Sequence, residues 1–139
     1  MLAAPPPLLS SVPPDSRSRS RPRSCEWPVL FLSGGGAYAH CDPRRVSIPA
    51  AIEFASGAGL QGVVLETLRL QQESHLIAVA VSAGLACMTY GTVNDDVVWV
   101  GRQHQLGVCG VIVDDVARVA TELRAQDRLV VIEELAGAC

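Results

Sequence analysis

Apolar residues in this chain are gathered into short continuous runs, each of which ends abruptly in glycine, hydroxyl or carboxylate residues. Four runs have the length of β-strands, and they cover residues 29–32, 61–65, 85–90 and 108–113. Continuous rather than alternating hydrophobicity is typical of strands that are buried on both faces. The intervals between the runs are long enough for a helix to cross back, which indicates parallel pairing.

These intervals carry the period of amphipathic helices. The first helix is expected to begin after the N-cap Ser47, to bury residues 48, 51, 52 and 55 on one face, and to stop at glycines 57 and 59. We expect a second helix over residues 72–83, a third from the cap Asn94 towards residue 105, and a fourth from Val116. Residues 129–132 either extend the last helix or form an edge strand. Four successive strand-helix units imply right-handed crossovers, and on periodicity alone they could form a small doubly wound sheet.

Residues 1–26 differ in composition from the rest of the chain. They are rich in proline and contain the alternation Arg17-Ser-Arg-Ser-Arg-Pro-Arg23. Such a segment cannot bury enough apolar surface to offset the entropy of ordering it, so we expect a disordered leader before one domain over residues 27–139. A solvated tail, a gene-boundary artefact, a transit peptide and an RNA-binding or phosphorylated Arg-Ser tract remain open interpretations.

The composition narrows the functional classes. With 139 residues, 49% of them hydrophobic, the chain fits one globular domain, and a net charge of -3 without a basic patch argues against nucleic-acid binding. No apolar run reaches the roughly 18 residues of a membrane span. The five cysteines include no CxxC motif, so we expect free thiols, with Cys87 and Cys109 buried in strands, and a cytoplasmic location.

Two segments carry a family resemblance. They are Tyr-Gly-Thr-Val-Asn-Asp at 90–95 and Gly-Val-Cys-Gly-Val-Ile-Val-Asp at 107–114. Together they resemble the last two strands of glycerophosphodiester phosphodiesterase domains, especially in fungal glycerophosphocholine phosphodiesterases that carry SPX and ankyrin regions. The resemblance implies an α/β fold in which residues 27–139 are the C-terminal half of a phospholipase C-like TIM (β/α)8 barrel. Gly91, where the family commonly has Trp, and Cys109, where it usually has Asp, depart from the family pattern.

The resemblance also implies a chemistry. The complete family hydrolyses glycerophosphodiesters with a divalent ion, Mg²⁺ or Ca²⁺, held by carboxylates, and with two histidines as base and acid. It carries these groups in a His-Arg-Gly motif and a Glu-x-Asp pair, and neither motif occurs in this sequence. We therefore expect no catalytic residue, metal ligand or cofactor in this chain. His40, His75 and His104 are expected at exposed loop or helix positions.

Candidate binding residues follow the strands, because the sites of parallel barrels lie at the C-terminal strand ends. The substrate-pocket candidates are Glu66, Tyr90, Asn94 and Asp114. Glu66 is preferred, since no helix-capping role explains it. Asp95 with Asp96, and Asp114 with Asp115, begin helices, where capping competes with cation binding as the explanation. Glycines 34–36 either present backbone N–H groups to a phosphate or form a flexible loop.

Three hypotheses therefore remain open. The first is a truncated, inactive member of the phosphodiesterase family, and the second is a non-catalytic regulatory or interaction module in phosphate signalling. In the third, the sequence is an incomplete gene model whose missing motifs lie upstream. Under the second hypothesis a half-barrel exposes two strand edges, which predicts self-association or pairing with another chain, or else aggregation.

Overall fold

The computed structural model describes residues 27–137 and the side chains of residues 27–127. Its strands are β1 (Leu30–Ser33), β2 (Gly62–Glu66), β3 (Ala86–Tyr90) and β4 (Gly110–Val111). Its helices are α1 (Ile48–Gly57), α2 (Thr67–Gln72), α3 (His75–Ser82), α4 (Val97–Gln105) and α5 (Val116–Gly137), with 3-10 turns at Pro43–Arg45 and Thr92–Asp95. No helix among these residues is both long and apolar enough to cross a bilayer.

The four strands form one parallel sheet in the order β1-β2-β3-β4. One row of paired residues runs across the whole sheet through Leu32, Val64, Met88 and Gly110. Each strand therefore pairs only with its neighbours in sequence among the described strands, whereas a doubly wound sheet reverses its strand order. The predicted fold is confirmed: this is an α/β segment of a barrel, built from parallel strand-helix units.

The core lies between the helices and one face of the sheet. Val63, Leu65 and Cys87 on this face pack with Ile48 and Ala51 of α1 and with Leu76, Ile77 and Ala80 of α3. Their neighbours in sequence, such as Val64 and Met88, point to the opposite face, because successive strand residues alternate. None of those neighbours belongs to the buried cluster in the described part of the chain.

Helix α1 begins as the sequence predicts. The Ser47 hydroxyl accepts a hydrogen bond from the Ala50 backbone N–H at 3.2 Å. Pro49 lies in the first turn, where a missing N–H leaves no bond unmade. The apolar positions of this helix are buried against β2, which places the loop between β1 and α1 at the C-terminal edge of the sheet.

Several predicted boundaries are wrong, each for a local reason. Helix α2 follows β2 directly and was not predicted, since its six residues are too few to show a helical period. Helix α4 starts after Asp96, whose carboxylate accepts from the Val98 N–H at 3.0 Å, and Asn94 lies in the preceding 3-10 turn. Strand β4 has only two residues. Residues 129–132 continue α5, which is the first of the two alternatives predicted for them. The predicted leader lies outside the described residues.

The cysteine prediction holds for Cys87 and fails for Cys109. Cys87 is fully buried beneath the helices, and burial together with Cys109 raises its pKa to about 12. Cys109 is exposed, because it immediately precedes the short edge strand β4, where no further strand covers it within residues 27–137. Cys41 is also free and exposed, while Cys25 and Cys139 lie outside the described residues.

Candidate functional site

Parallel strands bring their C-terminal ends to one side of the sheet, and polar residues collect there. We call the set formed by Gly34, Arg45, Glu66 and Tyr90 the strand-end rim. Glu66 and Tyr90 end β2 and β3 and are paired in the sheet register. Gly34 follows β1, and Arg45 ends the 3-10 turn that precedes α1. Neighbouring strands and the first loop therefore contribute to one edge of the sheet.

The glycine loop after β1 is held close to the start of α1. The Ser33 hydroxyl accepts from the Gly35 N–H at 3.1 Å and donates to the Arg45 carbonyl at 3.4 Å. Gly35 has a φ of 58°, and a Cβ there would lie 2.6 Å from a side-chain carbon of Ile48. The loop thus needs glycine for its conformation and for its packing.

Glu66 has a structural role that the sequence did not reveal. Its carboxylate accepts from the Arg69 N–H at 3.0 Å and caps α2, so the argument that no capping role explains Glu66 is wrong. The side chain is 5% exposed, and its second oxygen would lie 2.7 Å from a Cβ at Gly91. Gly91 has a φ of 125°, a conformation almost restricted to glycine, so it allows the carboxylate to occupy the rim.

Tyr90 lies on the opposite side of the rim from the helices. Its hydroxyl is 3.9 Å from the position that a Cβ at Gly34 would take. Burial raises the pKa of Tyr90, the negative charges of Glu66 and Tyr38 raise it further, and Arg45 acts in the opposite direction. The charges of Glu66, Tyr38 and Arg45 therefore act on the Tyr90 hydroxyl at the rim.

Arg45 supplies positive charge to this acidic and hydroxylic surface. One of its terminal nitrogens lies 2.9 Å from His40 Nε2, and its Nε is buried without a hydrogen-bond partner. A buried guanidinium N–H without an acceptor costs about 1–3 kcal/mol. Sequence inspection missed Arg45, because it lies in an irregular segment twelve residues after the strand whose loop it joins.

Asn94 belongs to a buried hydrogen-bond network beneath the rim. Its amide nitrogen donates to the Thr89 hydroxyl and to the Ile112 carbonyl, both at 3.1 Å. Gln103 donates to the Asn94 carbonyl oxygen at 2.8 Å and accepts from Thr89 at 2.6 Å. The network joins β3, α4 and the residue after β4. Asn94 is 0% exposed, so any effect of this residue on a ligand would be indirect.

A second buried hydrogen bond connects α2 to α4. The Trp99 indole N–H donates to the Thr67 hydroxyl at 2.7 Å, and both side chains are buried. The bond links α4 to the first residue of α2, which follows Glu66 directly. Buried threonines at strand ends were the available clue in the sequence, but a single hydroxyl after an apolar run does not identify its partner.

Asp114 is exposed at the loop between β4 and α5. Its N–H donates to Asp95 Oδ1 at 3.2 Å, and no described contact joins its side chain to Glu66 or Tyr90. Asp115 caps α5 by accepting from the Arg118 N–H at 3.0 Å, as helix-capping residues do. The structure therefore brings Glu66 and Tyr90 together, while a ligand contact by Asp114 stays a prediction.

The described residues do not fit a complete metal centre. No group of three or more His, Cys, Asp or Glu side chains in residues 27–127 is close enough to hold an ion. His40 is in an exposed loop, where its Nδ1 accepts from the Asp42 N–H at 3.1 Å. His75 and His104 are exposed on α3 and α4, and no described contact joins either of them to the rim. Glu66 alone could give at most a single carboxylate to a shared site.

Sequential parallel strands, helices packed on one face and a polar strand-end rim define a segment of a β/α barrel with a candidate site at its mouth. The sequence profile of the glycerophosphoryl diester phosphodiesterase family matches residues 4–118. The chain belongs to this family.

Relatives with this similarity come from plants and fungi. A chloroplastic glycerophosphodiester phosphodiesterase of Arabidopsis thaliana is 35% identical over 117 residues, which cover 84% of this chain and 32% of the relative. The glycerophosphocholine phosphodiesterase of Schizosaccharomyces pombe is 40% identical over 100 residues, which cover 72% of this chain and 9% of the relative. That of Eremothecium gossypii is 35% identical over 122 residues, 86% of this chain and 9% of the relative.

The chain thus spans about a third of the plant relative and less than a tenth of the fungal ones. No solved structure matches it significantly.

Proposed function

We propose that this chain supplies the C-terminal part of a glycerophosphodiester-binding barrel and that, by itself, it binds such a ligand without hydrolysing it. The observation that carries the proposal is the composition of the strand-end rim. Arg45 offers a guanidinium whose positive charge acts on Tyr90, and Tyr90 offers a hydroxyl group beside the glycine loop. These are groups that bind a phosphodiester and its glycerol hydroxyls.

The absence of hydrolysis follows from the groups that the rim lacks. Metal-assisted phosphodiester hydrolysis requires a bound cation to stabilise the developing charge and a positioned base and acid. The sequence has neither the His-Arg-Gly nor the Glu-x-Asp motif, and His40, which reaches the rim through Arg45, lies in an exposed loop and belongs to no group of three or more metal-ligating side chains among residues 27–127. In a complete barrel, we propose, Mg²⁺ or Ca²⁺ would take most of its ligands from other segments.

The test has a binding arm and a turnover arm. Titration of the purified protein with glycerophosphocholine, followed by chemical shifts of the rim amides, should show saturable binding that Arg45→Gln weakens at least about tenfold. The matched control Arg102→Gln, on the exposed surface of α4, should bind normally. Incubation with glycerophosphocholine and Mg²⁺ or Ca²⁺ should release no glycerol 3-phosphate. Absent binding, or robust turnover, would contradict the proposal.

The second proposal is a non-catalytic interaction module in phosphate signalling. The exposed apolar residues on the face of the sheet opposite the helices favour it, because such surfaces commonly mark protein contacts. A cytoplasmic location is also proposed, since the free, exposed thiols of Cys41 and Cys109 are best maintained in a reducing compartment. Fractionation of the native host cells, followed by immunoblotting, tests the location.

A further inference from the structure

The face of the sheet opposite the helices is apolar and uncovered in the described part of the chain. We call it the inner face, and it consists of Leu30, Leu32, Val64, Ala86, Met88 and Ile112. Leu32 is 50% exposed and Ile112 is 51% exposed, while Val64 and Met88 are half-buried. Parallel sheets are almost always covered on both faces, but no element within residues 27–137 covers this surface.

The edges of the same sheet are also unpaired. Strand β1 pairs only with β2, and strand β4 pairs only with β3, within residues 27–137. Each outer edge presents backbone N–H and C=O groups that a further parallel strand could satisfy. An occupant that covered the inner face without reaching both edges would leave these groups unpaired, so the occupant must bring two complementary strand edges.

We propose that the inner face and both edges are occupied by a second copy of this chain, which closes an eight-stranded parallel barrel. A two-fold axis along the barrel places β4 of each copy beside β1 of its partner, so one operation satisfies both edges. Four strands from each copy give eight, the number at which side chains alone fill a barrel interior. The chain itself thus provides every edge that closure requires.

The chemistry of the inner face suits self-association. It carries no charged side chain, so bringing two copies together buries no like charges against each other. Its central row contains Leu32, Val64 and Met88, and it ends at Gly110, over which the Met88 side chain lies. Two such rows would place Leu32, Val64 and Met88 of each copy in the interior, where Gly110 leaves room for the Met88 side chain. The Glu66 carboxylates would remain at the mouth, where each caps its own α2.

Sedimentation velocity and size-exclusion chromatography with light scattering test the proposal on the full chain, whose mass is 14.7 kDa. We expect a dimer at micromolar concentration. Leu32→Glu and Met88→Glu should each weaken the dimer at least about 100-fold, because closure would bury an unpaired charge. Both side chains are partly exposed in the single copy, so circular dichroism should show folded variants. The control Val98→Glu, at a 72% exposed position on α4, should remain dimeric.

Hydrogen exchange distinguishes barrel closure from simple stacking of two inner faces. In a closed barrel the backbone amides at the unpaired edges of β1 and β4 become protected from exchange in the dimer, whereas face-to-face stacking leaves the amides of both edges unprotected. A monomer, a polydisperse aggregate, equal disruption by Val98→Glu, or unprotected edges would each overturn the proposal. Ligand binding is not involved, so failure here leaves the proposed function untouched.

Discussion

Replacing Asn94 by leucine isolates the contribution of the buried network beneath the rim. The variant keeps the approximate volume of the side chain but removes the three hydrogen bonds with Thr89, Gln103 and Ile112. The Gln103 amide nitrogen is then left without an acceptor in a fully buried position, while the Ile112 carbonyl is only partly buried. The buried Gln103 amide without an acceptor and the Ile112 carbonyl, which water can partly reach, together lower the free energy of unfolding by about 2–4 kcal/mol.

Urea denaturation followed by circular dichroism measures this loss. As a control, Thr92→Val changes an exposed polar residue on the same 3-10 turn and should shift the unfolding free energy by less than about 0.5 kcal/mol. The pair Asn94→Leu and Gln103→Leu should cost less together than the sum of the single variants, by about 1 kcal/mol or more, because the second change removes the orphaned amide. A loss below about 1 kcal/mol for Asn94→Leu, or strict additivity, would refute the reasoning.

Three further predictions concern the backbone, a thiol and a carboxyl group. Gly91→Ala should lower the free energy of unfolding by about 1–3 kcal/mol through the backbone alone, since φ at this position is 125°. As a control, Gly57→Ala should be neutral or slightly stabilising, because a Cβ at Gly57 meets no atom within 4 Å. Thermal melts compare the two variants. Cys87 should resist alkylation at pH 8 in the native protein while Cys41 reacts, because burial raises the Cys87 pKa to about 12; mass spectrometry of the modified peptides decides, and equal labelling would contradict it. Hydrogen bonds from Arg44 lower the pKa of Asp42 to about 2. The stabilisation from the ionised carboxylate is therefore complete above about pH 4 and is lost as the pH falls towards 2. An acid titration in which Asp42→Asn unfolds like the unmodified protein would disprove this contribution.

The first two strands and helix α1 could be predicted because local chemistry determines them. Residues 29–32 and 61–65 are continuous apolar runs, and the structure places strands within one residue of both. Helix α1 combines a serine cap, a first-turn proline and an apolar stripe, each of which is visible without tertiary information. The family resemblance then supplied the barrel, which periodicity alone did not distinguish from a doubly wound sheet.

The side-chain partners at the site could not be predicted, because they depend on segments that are distant in sequence. The acceptor role of Glu66 depends on a helix only six residues long, and Trp99 bonds to Thr67 across 32 positions. Asn94 was assigned to a helix start by its residue type, but Asp96 takes that place and the amide turns inward to Gln103. Residue type showed that these groups need partners; only the packed structure identifies which partner each one has.

The nearest-neighbour order of the strands also bears on how the chain folds during synthesis. The paired positions Leu30 with Gly62, Gly62 with Ala86, and Met88 with Gly110 are separated by 32, 24 and 22 residues. Because the entropy of loop closure changes by only about 0.6 kcal/mol for each doubling of length, the three closures cost nearly the same. Each strand can therefore dock as soon as it leaves the ribosome, and the sheet can grow in the direction of translation without waiting for a distant segment.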